Sequence, residues 1–350
     1  MLLVQAGVAH AANDGDTAVL FQNACSICHG SHGRGLQPGD PKLLTFPRPP
    51  ADLTDPMFSS SEPKKDWFQV IKHGGAVLGL SEQMPTFGEA LDDQQISALV
   101  EHAKGLASTW AYPAGDLNLI RSVVTKKAFP EDEFILLSRY DHNGPGVPDG
   151  VRGVAYFGKR LGTRSQGEAK LVQKFSKEKT ELDEVEVGFK HALFPWLTRS
   201  WLLSAGAELG IPVHFDEEAP RAHGYLAFAK PLGRLFGLQA HAQYSQSIPA
   251  GDGATAPADL QIASALHFHG VPTFKRGVYP GIEGKAVVPL SGGGKTQFSV
   301  LPQVLAKLSK RGHVALAVGA EIPVANASYD YRVHSFLIWE FMEGLPWEGW

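Results

Sequence analysis

The chain has 350 residues, 43% of them hydrophobic and 19% charged, with a formal net charge of −4. That length suffices for two domains, the weak acidity without a basic run excludes a nucleic-acid surface, and two cysteines exclude a disulfide-rich scaffold. No run of about 18 apolar residues occurs, so no transmembrane helix is expected. The opening Leu2-Leu-Val-Gln-Ala-Gly-Val-Ala9-His10-Ala11 reads as the tail of a signal peptide with an A-x-A site, residues 1–11, without a positive n-region before it. An ordinary disordered N-terminus is the alternative.

The next hundred residues carry a helical period. Asp16 is placed to cap a helix over Thr17 to Cys28, with Leu20, Ala24 and Cys28 on one face. Within it, Cys25-Ser-Ile-Cys28-His29 has the C-x-x-C-H spacing of covalent c-type haem attachment. Residues three apart on a helix share a face, so both sulfurs can form thioethers to the haem vinyl groups while the following imidazole reaches the iron. A redox dithiol or half of a zinc site is the bland alternative, but no second cysteine pair and no βαβ pattern accompany the motif. Gly30, Gly33 and Gly35 supply a loop able to lie close to a macrocycle, and Pro38 stiffens it. A second helix is expected from Asp66 to about Lys72, stopping at Gly74-Gly75. A third is expected from Asp93 to Leu106, with Asp92 and Gln95 as a capping box and Ile96, Leu99, Val100, Ala103 and Leu106 as its buried stripe.

Residues 14–107 resemble a single-haem class I cytochrome c. The matching pieces are CSICHGSHGRG at 25–35, RPPADLTD at 48–55, WFQVIKHGG at 67–75, MPTFGEAL at 84–91 and the final helix. The resemblance implies one haem c, held covalently by Cys25 and Cys28, with His29 as one axial ligand and the methionine of the M-P-x-F segment, Met84, as the other. Met84 sits in a Gly/Pro-bounded loop from which a flexible thioether can reach iron. Met57 is the rival sulfur, and His32, His73 and His102 are further candidates; His102 is expected on a helix exterior, and His32 is too near His29 to reach the opposite haem face. With both axial positions filled by protein, one-electron exchange is what remains, so the resemblance implies an electron carrier rather than a catalyst. Covalent haem attachment in bacteria occurs outside the cytoplasmic membrane, so export is implied.

The domain expectation is a cytochrome c domain over 12–110, a linker over 111–131 and a β-barrel domain over 132–350. Turn and breaker residues such as Pro113, Gly115 and Pro130 mark the linker. Beyond it the period becomes two: Leu238, Ala240, Ala242 and Tyr244 alternate with Gln239, His241 and Gln243, and Leu316, Val318 and Ile322 alternate with Ala317, Gly319 and Glu321. Similar segments lie near 185–190, 262–269 and 297–308, punctuated by turns at Asp141–Gly150, Phe215–Pro220, Pro249–Pro257 and Ser291–Gly294. These segments approach the roughly 9–11 residues a tilted strand needs to cross a bilayer. The fold class is therefore an all-α cytochrome c domain followed by an all-β domain, an antiparallel up-and-down β-barrel of about 10–12 strands. A soluble sandwich or lipocalin-like barrel with its apolar face inward is the competing reading.

Phe194, Trp196, Trp201, Phe236, Tyr279, Trp339 and Phe341 suit interfacial girdles. Gly344, Pro346 and Gly349 break alternation before the terminal Trp350, so the closing strand is expected to end near Phe341. The region resembles transporter-like barrels of Gram-negative envelopes. The combination resembles outer-membrane cytochrome–porin fusions, some of which oxidise extracellular ferrous iron. A barrel of ~12 strands is roughly 24 Å across between backbones, whereas a domain of about 100 residues has a radius of gyration near ~13 Å. The folded cytochrome is thus expected at one mouth, most simply the periplasmic one, rather than in the lumen.

His223, His241, His267 and His269 fall on expected lumen-facing positions, as polar lining or, for the pair His267 and His269 above all, as a transition-metal site. Glu186, Lys190, Glu283 and Lys285 read as hydrated pore charges. Residues 12–115 hold 7 Lys/Arg against 12 Asp/Glu, which favours a redox partner with a basic docking face; outer-membrane lipid is the other expected partner. Three function classes follow: an envelope electron carrier, a haem enzyme subunit such as a peroxidase or dehydrogenase partner, and a porin or transporter with a haem redox sensor.

Overall fold

The computed structural model describes residues 14–46, 49–107, 113–175, 180–193, 200–214, 219–249, 256–269, 277–309 and 312–341. The signal-like segment 1–11, Arg48, Phe194, Trp196, the terminal Gly344, Pro346, Gly349 and Trp350, and parts of the turns at 215–220 and 249–257 lie outside the described residues, as do residues 108–112. The chain divides after Thr109 into two compact units.

The first unit is helical. Helix α1 (Asp14–Ala24) begins two residues before the expected cap, and Cys25 breaks it from the single turn α2 (Ser26–His29). Helix α3 (Pro56–Ser61) lies where no helix is expected from the sequence, although Asp55 caps it by accepting from the Met57 amide and Pro56 opens it, both ordinary start signals. Helix α4 (Lys64–His73) stops at Gly74, and α5 (Asp93–Leu106) carries the Asp92–Gln95 capping box. The stripe Ile96, Leu99, Val100 and Ala103 is buried and meets Phe21, Leu53 and Ile71 in one apolar cluster. On α1 it is Phe21 that fills the centre, with Leu20 and Cys25 partly buried beside it. Burying one aromatic ring removes more apolar surface from water than Ala24 and Cys28 together could.

The second unit is a closed antiparallel barrel of 12 strands. Its first six are β1 (Glu133–His142), β2 (Gly150–Arg160), β3 (Ser165–Phe175), β4 (Thr180–Leu193), β5 (Leu202–Pro212) and β6 (Arg221–Leu232). The others are β7 (Phe236–Ser247), β8 (Ala258–Phe268), β9 (Val278–Pro289), β10 (Gln297–Lys307), β11 (Val314–Ala325) and β12 (Tyr331–Glu340). Each strand pairs with its chain neighbours, and β12 closes on β1 with Glu340 opposite Glu133. Closure leaves no unpaired edge, the condition for a sheet to lie in lipid.

Strand alternation sorts the side chains. On β11, Leu316 and Val318 face outward and are 42% and 43% exposed, whereas Ala315 and Ala317 face inward and are 3% and 0% exposed. Leu136, Phe157, Val187, Leu226, Ile262 and Ile282 repeat the outward apolar pattern around the ring. Such a belt is far larger than the apolar patches tolerated in water, and the inward faces carry Glu, Lys, His and Gln. That is the reverse of a soluble barrel. Phe236 is exposed on the outside, but Tyr279, expected in a girdle, points inward and is 7% exposed, because its register partner Leu305 lies on the buried face.

The lumen is not an open pore from end to end. The stretch expected to be a linker packs inside the barrel from Pro113 to Asp132, with a single 3₁₀ turn at Gly115–Leu117. Leu117, Leu119, Ala128 and Phe129 are buried against β4, β5 and β6, while Ile120 and Val123 pack against a cluster of residues from β1, β2 and β9 to β12. The turn-forming residues at its ends are those of a tether, but the apolar residues between them pack it against the wall.

Candidate functional site

Two sites emerge, one in each unit. In the helical unit, the Cys25 amide donates to the Phe21 carbonyl at 2.8 Å, and the Cys25 carbonyl accepts from Cys28 and His29 at 3.2 and 2.9 Å. One helical turn thus holds Cys25, Cys28 and His29 together. Gly30 has φ of +73°, and the Gly35 amide returns to the His29 carbonyl at 2.8 Å; a side chain at Gly30 would run into the Gly35 carbonyl. The Leu53 amide then bonds the Gly33 carbonyl at 2.7 Å, which brings Ala51 beside the histidine.

His29 Nδ1 lies 3.2 Å from the Ala51 carbonyl. A carbonyl accepts only, so Nδ1 carries the proton and Nε2 keeps a free lone pair, the arrangement by which an outer partner orients a metal-binding imidazole. Burial pushes the His29 pKa down, against a smaller upward pull from the Ala51 carbonyl. The ring is therefore neutral at neutral pH, the form that ligates metal. Burial, with Cys28 adding to it, pushes the Cys25 thiol up to about 11, so it is no reactive thiolate. That weighs against the redox-dithiol alternative.

Met84 is positioned by backbone. The Gly75 amide donates to its carbonyl at 3.0 Å, and the Phe87 and Gly88 amides donate to the Ile71 and Lys72 carbonyls at 3.1 and 3.0 Å. A Cβ at Gly75 would collide with the Ser81 carbonyl, so the M-P-T-F-G segment can close on the end of α4 only over a glycine. Met84 and Cys25 pack against the same cluster around Phe21, Ile71 and Leu99. Met57 sits on the first turn of α3, its amide bound by Asp55 at 2.8 Å. His102 is not on the helix exterior: its ring leans on Phe21, with centroids 5.0 Å apart. A thiol pair, a neutral imidazole with one free nitrogen and a thioether form a donor set that fits haem c.

The second site is the lumen. Residues 118–131 form no helix or strand, so their buried amides and carbonyls need other partners. Glu283 supplies four: Oε1 accepts from the Val123 and Val124 amides at 2.7 and 3.0 Å, and Oε2 accepts from the Thr125 amide and hydroxyl, each at 2.6 Å. Gln239 donates to the Ile120 carbonyl and Ser204 to the Ala128 carbonyl, both at 2.6 Å. Lys190 donates to the Lys127 and Phe129 carbonyls at 3.1 Å, and Gln166 accepts from the Glu131 amide at 2.9 Å. Arg121 pairs with Glu133, and Lys126 with Glu208 at 2.6 Å.

Two of the four expected pore charges are therefore not hydrated. Glu283 and Lys190 are 1% and 2% exposed and bind the segment, while Lys285 pairs with Glu321 and Glu186 with Lys170. Their roles were invisible in sequence because the groups they satisfy are backbone atoms more than sixty residues away.

The histidines separate. His223 Nδ1 lies 2.9 Å from the Ser245 hydroxyl. His241 accepts from the Lys126 amide at 3.1 Å, and its other nitrogen is 3.0 Å from Gln261. His267 is fully buried on the inner face of β8, and His269 follows just past that strand. Among the described residues, no group of three or more His, Cys, Asp or Glu gathers to hold a metal ion.

Residues 12–102 match the model of the family described as cytochrome C oxidase, cbb3-type, subunit III. The helical unit is accordingly a cytochrome c domain, which implies haem binding; the match covers about a quarter of the chain and does not reach the barrel. No curated protein matches the chain. The barrel is similar to the NanC porin, at 6% identity and TM-score 0.45, over 59% of this chain and all of that one. It is also similar to an outer membrane channel from Pseudomonas putida F1, at 10% identity and TM-score 0.44, over 64% of this chain and 100% of that one. A third likeness is to the KdgM porin solved in complex with disordered oligogalacturonate, at 8% identity and TM-score 0.41, over 59% of this chain and 99% of that one. The wall of this chain's barrel is apolar on the outer face and polar on the inner one.

Proposed function

We propose that the protein is a one-electron carrier of the bacterial envelope, with a single haem c bound to Cys25 and Cys28, ligated by His29 and Met84, and tethered to a barrel in the outer membrane. The observation that carries the reading is the C-x-x-C-H turn with His29 Nδ1 engaged by the Ala51 carbonyl, on a unit that matches a cytochrome family. When bound, the haem supplies reversible one-electron exchange at its edge. The protein's own residues do the rest. Ala51 orients the imidazole, the Gly74–Gly75 bend presents the thioether, and Phe21 and Leu99 keep the neighbourhood apolar. Filling both axial positions denies oxygen or peroxide a site, and a thioether ligand raises the potential relative to two imidazoles.

The apolar outer belt and closed edge support membrane insertion, and strands of 10 to 14 residues are long enough to cross the hydrocarbon core when tilted. The cytochrome unit then belongs to the periplasm after export, facing a redox partner with a basic surface.

The test is the visible and redox behaviour of the purified protein. The wild type is expected to be coloured, to keep its haem through denaturation, and to resist azide and cyanide at low concentration. Met84→Ala opens an axial position, so it should bind those anions and lose potential, while Met57→Ala changes neither. The reverse pattern assigns the ligand to Met57, and an anion-sensitive wild type points instead to a haem enzyme. A colourless protein from a host competent in haem attachment removes the reading altogether.

A further inference from the structure

We propose that the chain plugs its own barrel: the segment Leu117–Asp132 closes the lumen to ions and solutes, with Glu283 as its main anchor, so that neither solute nor soluble redox carrier passes between the mouths. This rests on the reading of the second unit as a membrane barrel and is independent of the haem.

Three observations carry it. The first is span. Leu117, Leu119, Ala128 and Phe129 pack on β4 to β6, while Ile120 and Val123 pack on the cluster drawn from β9 to β12, β1 and β2. In a ring of 12 strands these are opposite walls. A ring roughly 24 Å across leaves about 12 Å from axis to wall, close to the ~10 Å that side chains fill between packed sheets. One extended chain fits where a folded domain does not.

The second is dryness. Thr125, Ala128, Phe129 and Glu283 are each no more than 1% exposed. A water-filled pore would hydrate the segment's backbone; here wall side chains serve as its hydrogen-bond partners instead. Glu283 alone takes three successive amides and a hydroxyl.

The third is where space remains. A cavity of about 380 Å³ is lined by Arg121–Lys127 of the segment and by Arg139, Arg152, Glu186 and Lys285 of the wall. Arg139 and Arg152 lie near the ends of β1 and β2 farthest from where the segment joins Glu133. The open volume therefore borders the segment and extends along the wall toward those ends, with Ile135 and Tyr156 also lining it. The alanines at 192, 227, 229, 315 and 317, all at most 3% exposed, are the positions where the wall makes room.

Ion conductance of the full chain in planar lipid bilayers tests this, with heat-modifiable gel mobility as the check that each variant is a folded barrel. The wild type is expected to pass less than a tenth of the current of a variant in which residues 117–129 are replaced by a Gly/Ser linker of equal length. Thr125→Pro removes an amide and a hydroxyl that reach Glu283 without altering any strand, and Glu283→Ala removes the acceptor; both are expected to raise conductance. Steady wild-type conductance equal to that of the linker variant overturns the proposal. So does silence in a folded linker variant or, should that variant not fold, in a folded Thr125→Pro protein, since the wall itself would then be the seal. A wild type without heat-modifiable mobility refutes the membrane-barrel reading instead, leaving the cytochrome reading to its own spectra.

Discussion

Ala317 and Ala320 show how much a residue's meaning depends on which side of the wall it faces. Both are alanines on β11, three apart, but Ala317 is fully buried toward the lumen and Ala320 lies on the outward face opposite Val333. Ala317→Leu forces extra volume into a space already occupied and should cost about 1–3 kcal/mol, whereas Ala320→Leu adds apolar surface to the lipid side and should be close to neutral. Urea titration of the folded barrel in lipid vesicles separates the two; equal effects would mean that the lumen at Ala317 is not filled. The proposed haem site likewise depends on single residues. Cys25, Cys28, His29 and Met84 are proposed for it from spacing and resemblance, because covalent attachment would demand fixed offsets along a few residues. Ala51 was not readable, since it contributes only a carbonyl, and every residue has one.

At the scale of elements, the period of the pattern did most of the work. Helix α5 has the bounds and capping box its sequence implies, since capping is decided within four residues. The strands followed from alternation, and 12 of them lie within the expected range. Alternation alone does not say which face points outward, and this the structure resolves through the exposed apolar belt. Val318, at mid-strand on β11, is therefore expected to resist charge. Val318→Arg should cost about 2–4 kcal/mol if that position lies near the bilayer midplane, while Gln243→Arg, on the lumen side of β7, should cost far less. The fraction of heat-modifiable protein recovered in the membrane checks both, and a harmless Val318→Arg would contradict a lipid-facing belt.

For the whole molecule, charge and connectivity matter most. The excess of acidic over basic residues in 12–115, 12 against 7, predicts that electron exchange with a basic partner slows as ionic strength rises. Stopped-flow rates with a basic soluble cytochrome as donor or acceptor measure this, and a rate that rises with salt would reverse the expected sign. A plugged barrel also changes what the barrel is for. If nothing diffuses through it, it serves as an anchor and a wall rather than a conduit, and electrons reach the far side only through protein or not at all.

What the sequence determined by itself was local: the C-x-x-C-H motif, the capped helices, the period-two strands and the amphipathic sense of each. All of these depend on residues a few positions apart, where backbone geometry is regular enough to be read directly. Only the tertiary structure decided that the stretch after the cytochrome lies inside the barrel and that Glu283 and Lys190 serve it. Thr125 and Glu283 are 158 residues apart, and no periodicity links them. Their meeting is imposed by ring closure, which brings distant strands around a common interior where each backbone polar group must find a partner.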